Sequence, residues 1–224
     1  MGKRYDERNQ EVRNLILENL EEIYCMKSNV FKCICLFSLV DMFAQNEEYG
    51  DKNCVRFSVF LRKYADCEML DTIDPITLYY DNIDVFEKRD MNILGLGNAC
   101  EYDWESIREN ECVNALLEYA NDSIKSEMLN KHKYVSLLYK YRSKLVHEHR
   151  EPSVMFDFMQ SYTTPMYYQC REIDGVDRYR LCFPFEFIKN ISVISINRYL
   201  DDCLDRKVDP FYFENKRYYS WYEK

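Results

Sequence analysis

Only five glycines and five prolines punctuate the 224 residues of this chain. Ordinary usage of about 7% and 5% would supply roughly three times as many glycines and twice as many prolines. Sandwiches and barrels turn every ~8–12 residues, and glycine and proline make most of those turns. The scarcity excludes a turn-rich all-β fold. It predicts long helices whose few turn residues cluster where the helices stop.

Apolar periodicity agrees. Val12, Leu15, Ile16, Leu20 and Ile23 recur at three and four residues, the pattern of a helix with one buried face. The stretch VFKCICLFSLVDMFAQ is apolar over most of its circumference, which predicts a helix buried on several sides. In CVRFSVFLRKYAD helix and strand compete, and Arg62, Lys63 and Ala65 favour helix. Asp74-Pro75 reads as an N-cap followed by proline at the first helical position, so a short helix starts there. Trp104–Ala120 and Ser123–His147 read as two helices, or as one long helix kinked near Asn121-Asp122. Within the second, Tyr134, Leu138, Tyr141 and Leu145 form an apolar stripe. Pro152 biases Glu151 away from helix and ends this segment near Arg150.

Beyond Pro152 the pattern changes. Asp174-Gly175 lies between arms rich in Tyr and Phe, the strongest hairpin signal in the chain. A last helix from about Glu186 to Asp205 should turn Ile188, Ile191, Ile194 or Ser195, and Tyr199 or Leu200 inward. The expected fold is mainly α: a helical bundle over residues 1–150, with a β-hairpin, a helix and an aromatic tail over 151–224 packed on it. The tail FYFENKRYYSWYEK, half aromatic, is expected to dock on its own domain or on a partner rather than to stack on bases.

Charge and cysteines narrow the function. With 39 acidic side chains against 30 basic ones the formal charge is −9, which excludes indiscriminate coating of nucleic acid or anionic membrane. The opening MGKRYDERNQEVRN has no apolar leader, and Val30–Ala44 falls short of the ~20 residues of a membrane helix. A soluble, cytoplasmic chain with no membrane partner is expected. Its ten cysteines should then be reduced thiols serving mostly as small buried apolar groups. No CxxC occurs, so no metal site is expected, and a thiol-dependent enzyme has no local signature. Gly95-Leu96-Gly97 has Cys100 where a dinucleotide fingerprint needs its third glycine, so no cofactor is expected either.

One window departs from the acidic background. Residues 131–150, KHKYVSLLYKYRSKLVHEHR, hold six Lys or Arg, one acid and all three histidines, a local charge of +5. Cations and tyrosine rings along a helix end are what RNA recognition uses. The same cations also complement a helix C-terminus, and the tyrosine stripe also suits a core.

Within this window, Arg142-Ser143-Lys144-Leu145-Val146-His147, inside YRSKLVHEHREP and at the end of an amphipathic helix, resembles the Arg-x(4 to 6)-His motif of HEPN domains. The resemblance implies a helical bundle that pairs as a homodimer. It also implies a metal-independent endoribonuclease of a toxin–antitoxin or defence setting, with an antitoxin or regulatory protein as a further partner; the hairpin and last helix lie outside it. RNA brings its own nucleophile, the 2′-hydroxyl, so the enzyme supplies a base for that proton and a cation for the crowded phosphorane. On the motif, His147 would be the base and Arg142 the cation. His149 also fits the spacing and is a helper or substitute. Lys140, Lys144 and Arg150 would steer the RNA backbone, with Tyr141 beside them. Arg142 and His147 diverge by about 140° around an ideal helix, and Arg142 and His149 by about 20°. A dimer could unite an Arg and a His across its interface. The second function left open is a catalytically silent HEPN-like module for dimerisation, RNA binding or partner binding.

Overall fold

The computed structural model describes residues 2–46, 52–86, 101–103, 105, 109–148, 162–171 and 177–211, and it is mainly helical. The chain divides into two units: residues up to Cys67 together with those from Lys189 onward, and Glu68–Ile188 between them.

The first unit contains α1 (Gly2–Cys25), α2 (Asn29–Ala44), α3 (Asn53–Tyr64) and most of the last helix, Phe185–Arg206. On α1, Val12, Ile16, Leu20 and Ile23 are buried as expected, but Leu15 is 48% exposed. It sits about 60° from Val12, on the side away from the other three, and so falls off the edge of the stripe. On α2 one face is fully buried, from Cys33 through Phe37 and Val40 to Ala44, while Ile34, Cys35 and Leu39 on its flanks are half-buried. Ser28 caps α2 by accepting from the Phe31 N–H. The core is aromatic. The Tyr199 ring lies 5.2 Å from Phe43, 5.5 Å from Phe60 and 5.6 Å from Tyr64. In the last helix Ser195 points inward rather than Ile194, and both Tyr199 and Leu200 are buried.

Glycine scarcity shows at the helix ends. The chain leaves α3 through Asp66 at φ 50° and the last helix through Lys207 at φ 57°. At Lys207 the N–H groups of Lys207 and Val208 donate to Leu204 and Cys203 carbonyls, a Schellman closure that glycine usually makes.

The second unit holds a 3₁₀ turn (Glu68–Asp71), α4 (Pro75–Asp81), β1 (Glu101–Asp103), α5 (Glu111–Ser123), α6 (Ser126–Lys131), α7 (Tyr134–Glu148), β2 (Met166–Arg171) and β3 (Asp177–Cys182); Phe185–Ile188 opens the last helix, α8. Asp74 caps α4 as expected, its carboxylate accepting from the Ile76 and Thr77 N–H groups and the Thr77 hydroxyl. The hairpin arms pair antiparallel, from Met166 opposite Cys182 to Arg171 opposite Asp177; its Asp174-Gly175 turn lies outside the described residues, as does Gly95-Leu96-Gly97. A third strand, not expected, joins it: β1 pairs with β2, giving the order β1-β2-β3.

The expected helix Ser123–His147 is two helices. Around His132 and Lys133 the backbone turns away to pair with residues 72–74: Asp74 N–H donates to His132 C=O at 2.8 Å and Tyr134 N–H to Thr72 C=O at 2.9 Å. The helix before it starts at Glu111, capped by Asn110 through the Cys112 and Val113 N–H groups, and ends at Ser123, one residue beyond Asn121-Asp122. The stripe of α7, Tyr134, Leu138, Tyr141 and Leu145, is buried as expected. Phe183 meets Tyr134 and Tyr141 edge-on at 5.8 and 6.0 Å.

The cap of α4 continues into a chain of buried polar groups. Tyr134 and Tyr167 hydroxyls are 3.0 Å apart, and Tyr167 donates to Asp74 Oδ1 at 2.8 Å. Burial pushes the Asp74 carboxyl above its ordinary value, against the hydrogen bonds that pull it down. Burial pushes the Tyr134 and Tyr167 hydroxyls up as well, and both stay protonated donors.

Candidate functional site

The basic window resolves into three places within the second unit. Arg142 and His147 lie on the last turns of α7. Their backbone positions diverge around the helix, yet the long arginine side chain bends back, and its Nη1 reaches 3.5 Å from His147 Nε2, the outer limit of a hydrogen bond. The two groups thus approach each other within one chain despite the divergence of their backbone positions. Guanidinium can only donate, so Nε2 is the accepting partner in this contact. The Arg142 guanidinium also lies 5.8 Å from the centre of the Tyr139 ring, which limits its swing. His147 is exposed and Arg142 half-buried. His149 and Arg150 lie outside the described residues.

Lys140, Tyr141 and Lys144 go elsewhere. They line a groove of about 630 Å³ bounded by α4, α7 and the edge strand β3. The opposite walls carry Tyr80 and Asp81 from α4 and Tyr179 and Arg180 from β3. Lys140 and Lys144 are exposed, whereas Tyr141 is buried and shares its ring with the core. Arg142 and His147 are not among the residues lining this groove.

His132 belongs to neither group. It is 4% exposed, with Nδ1 at 2.7 Å from the Met128 carbonyl and Nε2 at 3.0 Å from Asp81 Oδ2. A carbonyl oxygen only accepts, so Nδ1 carries a hydrogen. Nε2 faces the Asp81 carboxyl. His132 therefore holds Asp81 in place at the groove.

The sequence reading missed Asp81, Tyr80 and Arg180. Tyr80 and Asp81 close the short helix that Asp74-Pro75 announces, and Arg180 alternates with Tyr179 and Leu181 on a strand arm. Each signal was present locally, but nothing local says that these residues meet α7.

Among the described residues no group of three or more His, Cys, Asp or Glu could hold a metal ion, and no helix is long and apolar enough to cross a membrane. Of the described cysteines, Cys33, Cys182 and Cys203 are buried, Cys25 is exposed and the others are half-buried.

No protein-family model, curated protein or solved structure matches this chain.

Proposed function

We propose that this protein is a metal-independent endoribonuclease of HEPN type, cleaving RNA with Arg142 and His147. The observation that carries the reading is the 3.5 Å approach of Arg142 Nη1 to His147 Nε2 on the accessible end of α7. A neutral imidazole with its lone pair turned toward a fixed cation is a base placed beside a phosphate-binding group. An incoming phosphodiester would take the guanidinium for itself and free Nε2. His147 then removes the 2′-hydroxyl proton, the 2′-oxygen bonds to phosphorus, and Arg142 donates to the non-bridging oxygens as charge builds on them. The bond from phosphorus to the 5′-oxygen breaks, and that oxygen takes up a proton. The products are a 2′,3′-cyclic phosphate and a 5′-hydroxyl.

Lys140 and Lys144 steer the RNA backbone, with Tyr141 behind them; Arg150 and His149 follow the motif in sequence and are assigned the supporting roles described above. The same reading carries with it a HEPN-like bundle, a homodimer, a cytoplasmic location and an antitoxin or regulatory protein as further partner.

The test is incubation of the purified protein with RNA in EDTA. Wild type should leave 2′,3′-cyclic phosphate ends and spare DNA. Arg142→Ala and His147→Ala should each slow cleavage by about 10²-fold or more, the scale of a lost acid–base or oxyanion group. No cleavage by wild type, or unchanged cleavage in both variants, would overturn the nuclease and favour the silent module for RNA or partner binding.

A further inference from the structure

The groove beside α7 takes in the two lysines assigned to steering RNA and adds groups that cleavage does not use, Asp81, Tyr80 and Arg180. Lys140 and Lys144 from α7 and Arg180 from β3 supply three cations, and Asp81 a single carboxylate, in a chain whose formal charge is −9. A volume of about 630 Å³ falls within the ~300–1,000 Å³ of small-molecule sites. Cations call for phosphate, and Tyr80 brings an aromatic ring to the lining, the kind of group that supports a planar base.

Asp81 decides which base. Its Oδ2 lies 3.0 Å from His132 Nε2, and a carboxylate only accepts. Of the common bases, guanine alone sets two donors side by side, N1–H and the N2 amino group, to match the two oxygens. Adenine and cytosine place an acceptor next to their amino donor, and uracil flanks its one N–H with two carbonyls. Those acceptors would face the carboxylate with no hydrogen between them, a mismatch that guanine avoids.

We infer that this groove binds a phosphorylated guanosine, free or as a residue of RNA. Asp81 reads the base edge, Tyr80 supports the ring, and Lys140, Lys144 and Arg180 hold the phosphate. The inference rests on the groove and goes beyond the cleavage reading, since Arg142 and His147 lie outside the lining.

Calorimetric titration of the full chain with GMP, AMP, inorganic phosphate, and the RNA pentamers UUGUU and UUAUU tests it. GMP or UUGUU should bind at least about tenfold tighter than its adenine counterpart, the discrimination that a bidentate pair provides. Preference confined to GMP identifies a free nucleotide as the ligand; preference confined to UUGUU identifies an RNA residue. Asp81→Asn, which presents a donor beside an acceptor, should abolish the guanine preference or turn it toward adenine. Substituting alanine for both Lys140 and Lys144, which are exposed, should weaken GMP, AMP and phosphate alike by about tenfold or more while the melting temperature stays put. Equal binding of guanine and adenine ligands, no binding at millimolar concentration, or a guanine preference that survives Asp81→Asn would overturn the inference. Guanine-selective binding without RNA cleavage breaks the cleavage reading alone, and cleavage without guanine-selective binding breaks this one alone.

Discussion

The two units of the chain hold their perturbed acids in opposite ways. In the first, the partly exposed Asp202 accepts from Tyr64 and pairs with Lys63 and Arg206, and the exposed Asp66 pairs with Arg198 at 2.6 Å. In the second, Asp74 is fully buried among four donors, and His132 is buried between two acceptors. Desolvated polar groups cost free energy unless every one is satisfied, so they persist where they fix a geometry that apolar packing would leave loose. The first unit is built for packing. The second spends stability on holding α4, α7 and the sheet in register, and its groove lies among those three.

Three substitutions can break this contrast. The largest effect should come from Tyr199→Ala in the first unit. It removes a ring packed against Phe43, Phe60 and Tyr64 and a hydroxyl that donates to the Pro210 carbonyl at 3.0 Å. Denaturant unfolding should show a loss of roughly 3–5 kcal/mol; a loss below about 1 kcal/mol would mean that the ring cluster is not the core. Next comes Tyr167→Phe in the second unit. It takes one donor from Asp74 and the partner from the Tyr134 hydroxyl, and should cost about 1–3 kcal/mol. Tyr199→Phe, which gives up a bond to a backbone carbonyl, should cost about 0.5–1.5 kcal/mol. Should the two phenylalanine variants prove equal, buried polar bonding would not distinguish the units.

What could be read in the sequence follows the reach of each interaction. The Asp74 cap and the Tyr134–Leu145 stripe depend on residues within a few turns, and both were legible. The hairpin arms were legible for the same reason. The break at His132 was not, because Lys131-His132-Lys133 contains no breaker residue and the cause lies some sixty residues upstream, in the backbone of 72–74. Strand β1 is three residues long and carries no periodicity. The approach of Arg142 to His147 escaped an argument from backbone directions because a guanidinium on a long stem can cross a divergence that a short side chain could not. Asp81 and Arg180 reach the groove from elements that only the fold brings to α7.

The smallest effect is also the sharpest test, because its sign differs between the units. Burial raises the Asp74 carboxyl above 3.8, so the native state holds that proton more tightly than the unfolded chain. Its contribution is full below pH 3.8 and is lost as pH rises through the raised value. Asp202 is the reverse. Burial alone would raise it, but the Tyr64 hydroxyl, Arg206 and Lys63 outweigh that and hold it below 3.8. Its contribution is full above pH 3.8 and is lost as pH falls through the lowered value. Asp202→Asn should therefore cost about 0.2–1 kcal/mol near neutrality and nothing in strong acid. The cost of Asp74→Asn should instead be greatest in acid and shrink as pH rises. Urea unfolding of both variants and wild type from pH 3 to 7 should give slopes of opposite sign, and slopes of one sign would remove the distinction between a surface acid held by cations and a buried acid held by hydroxyls.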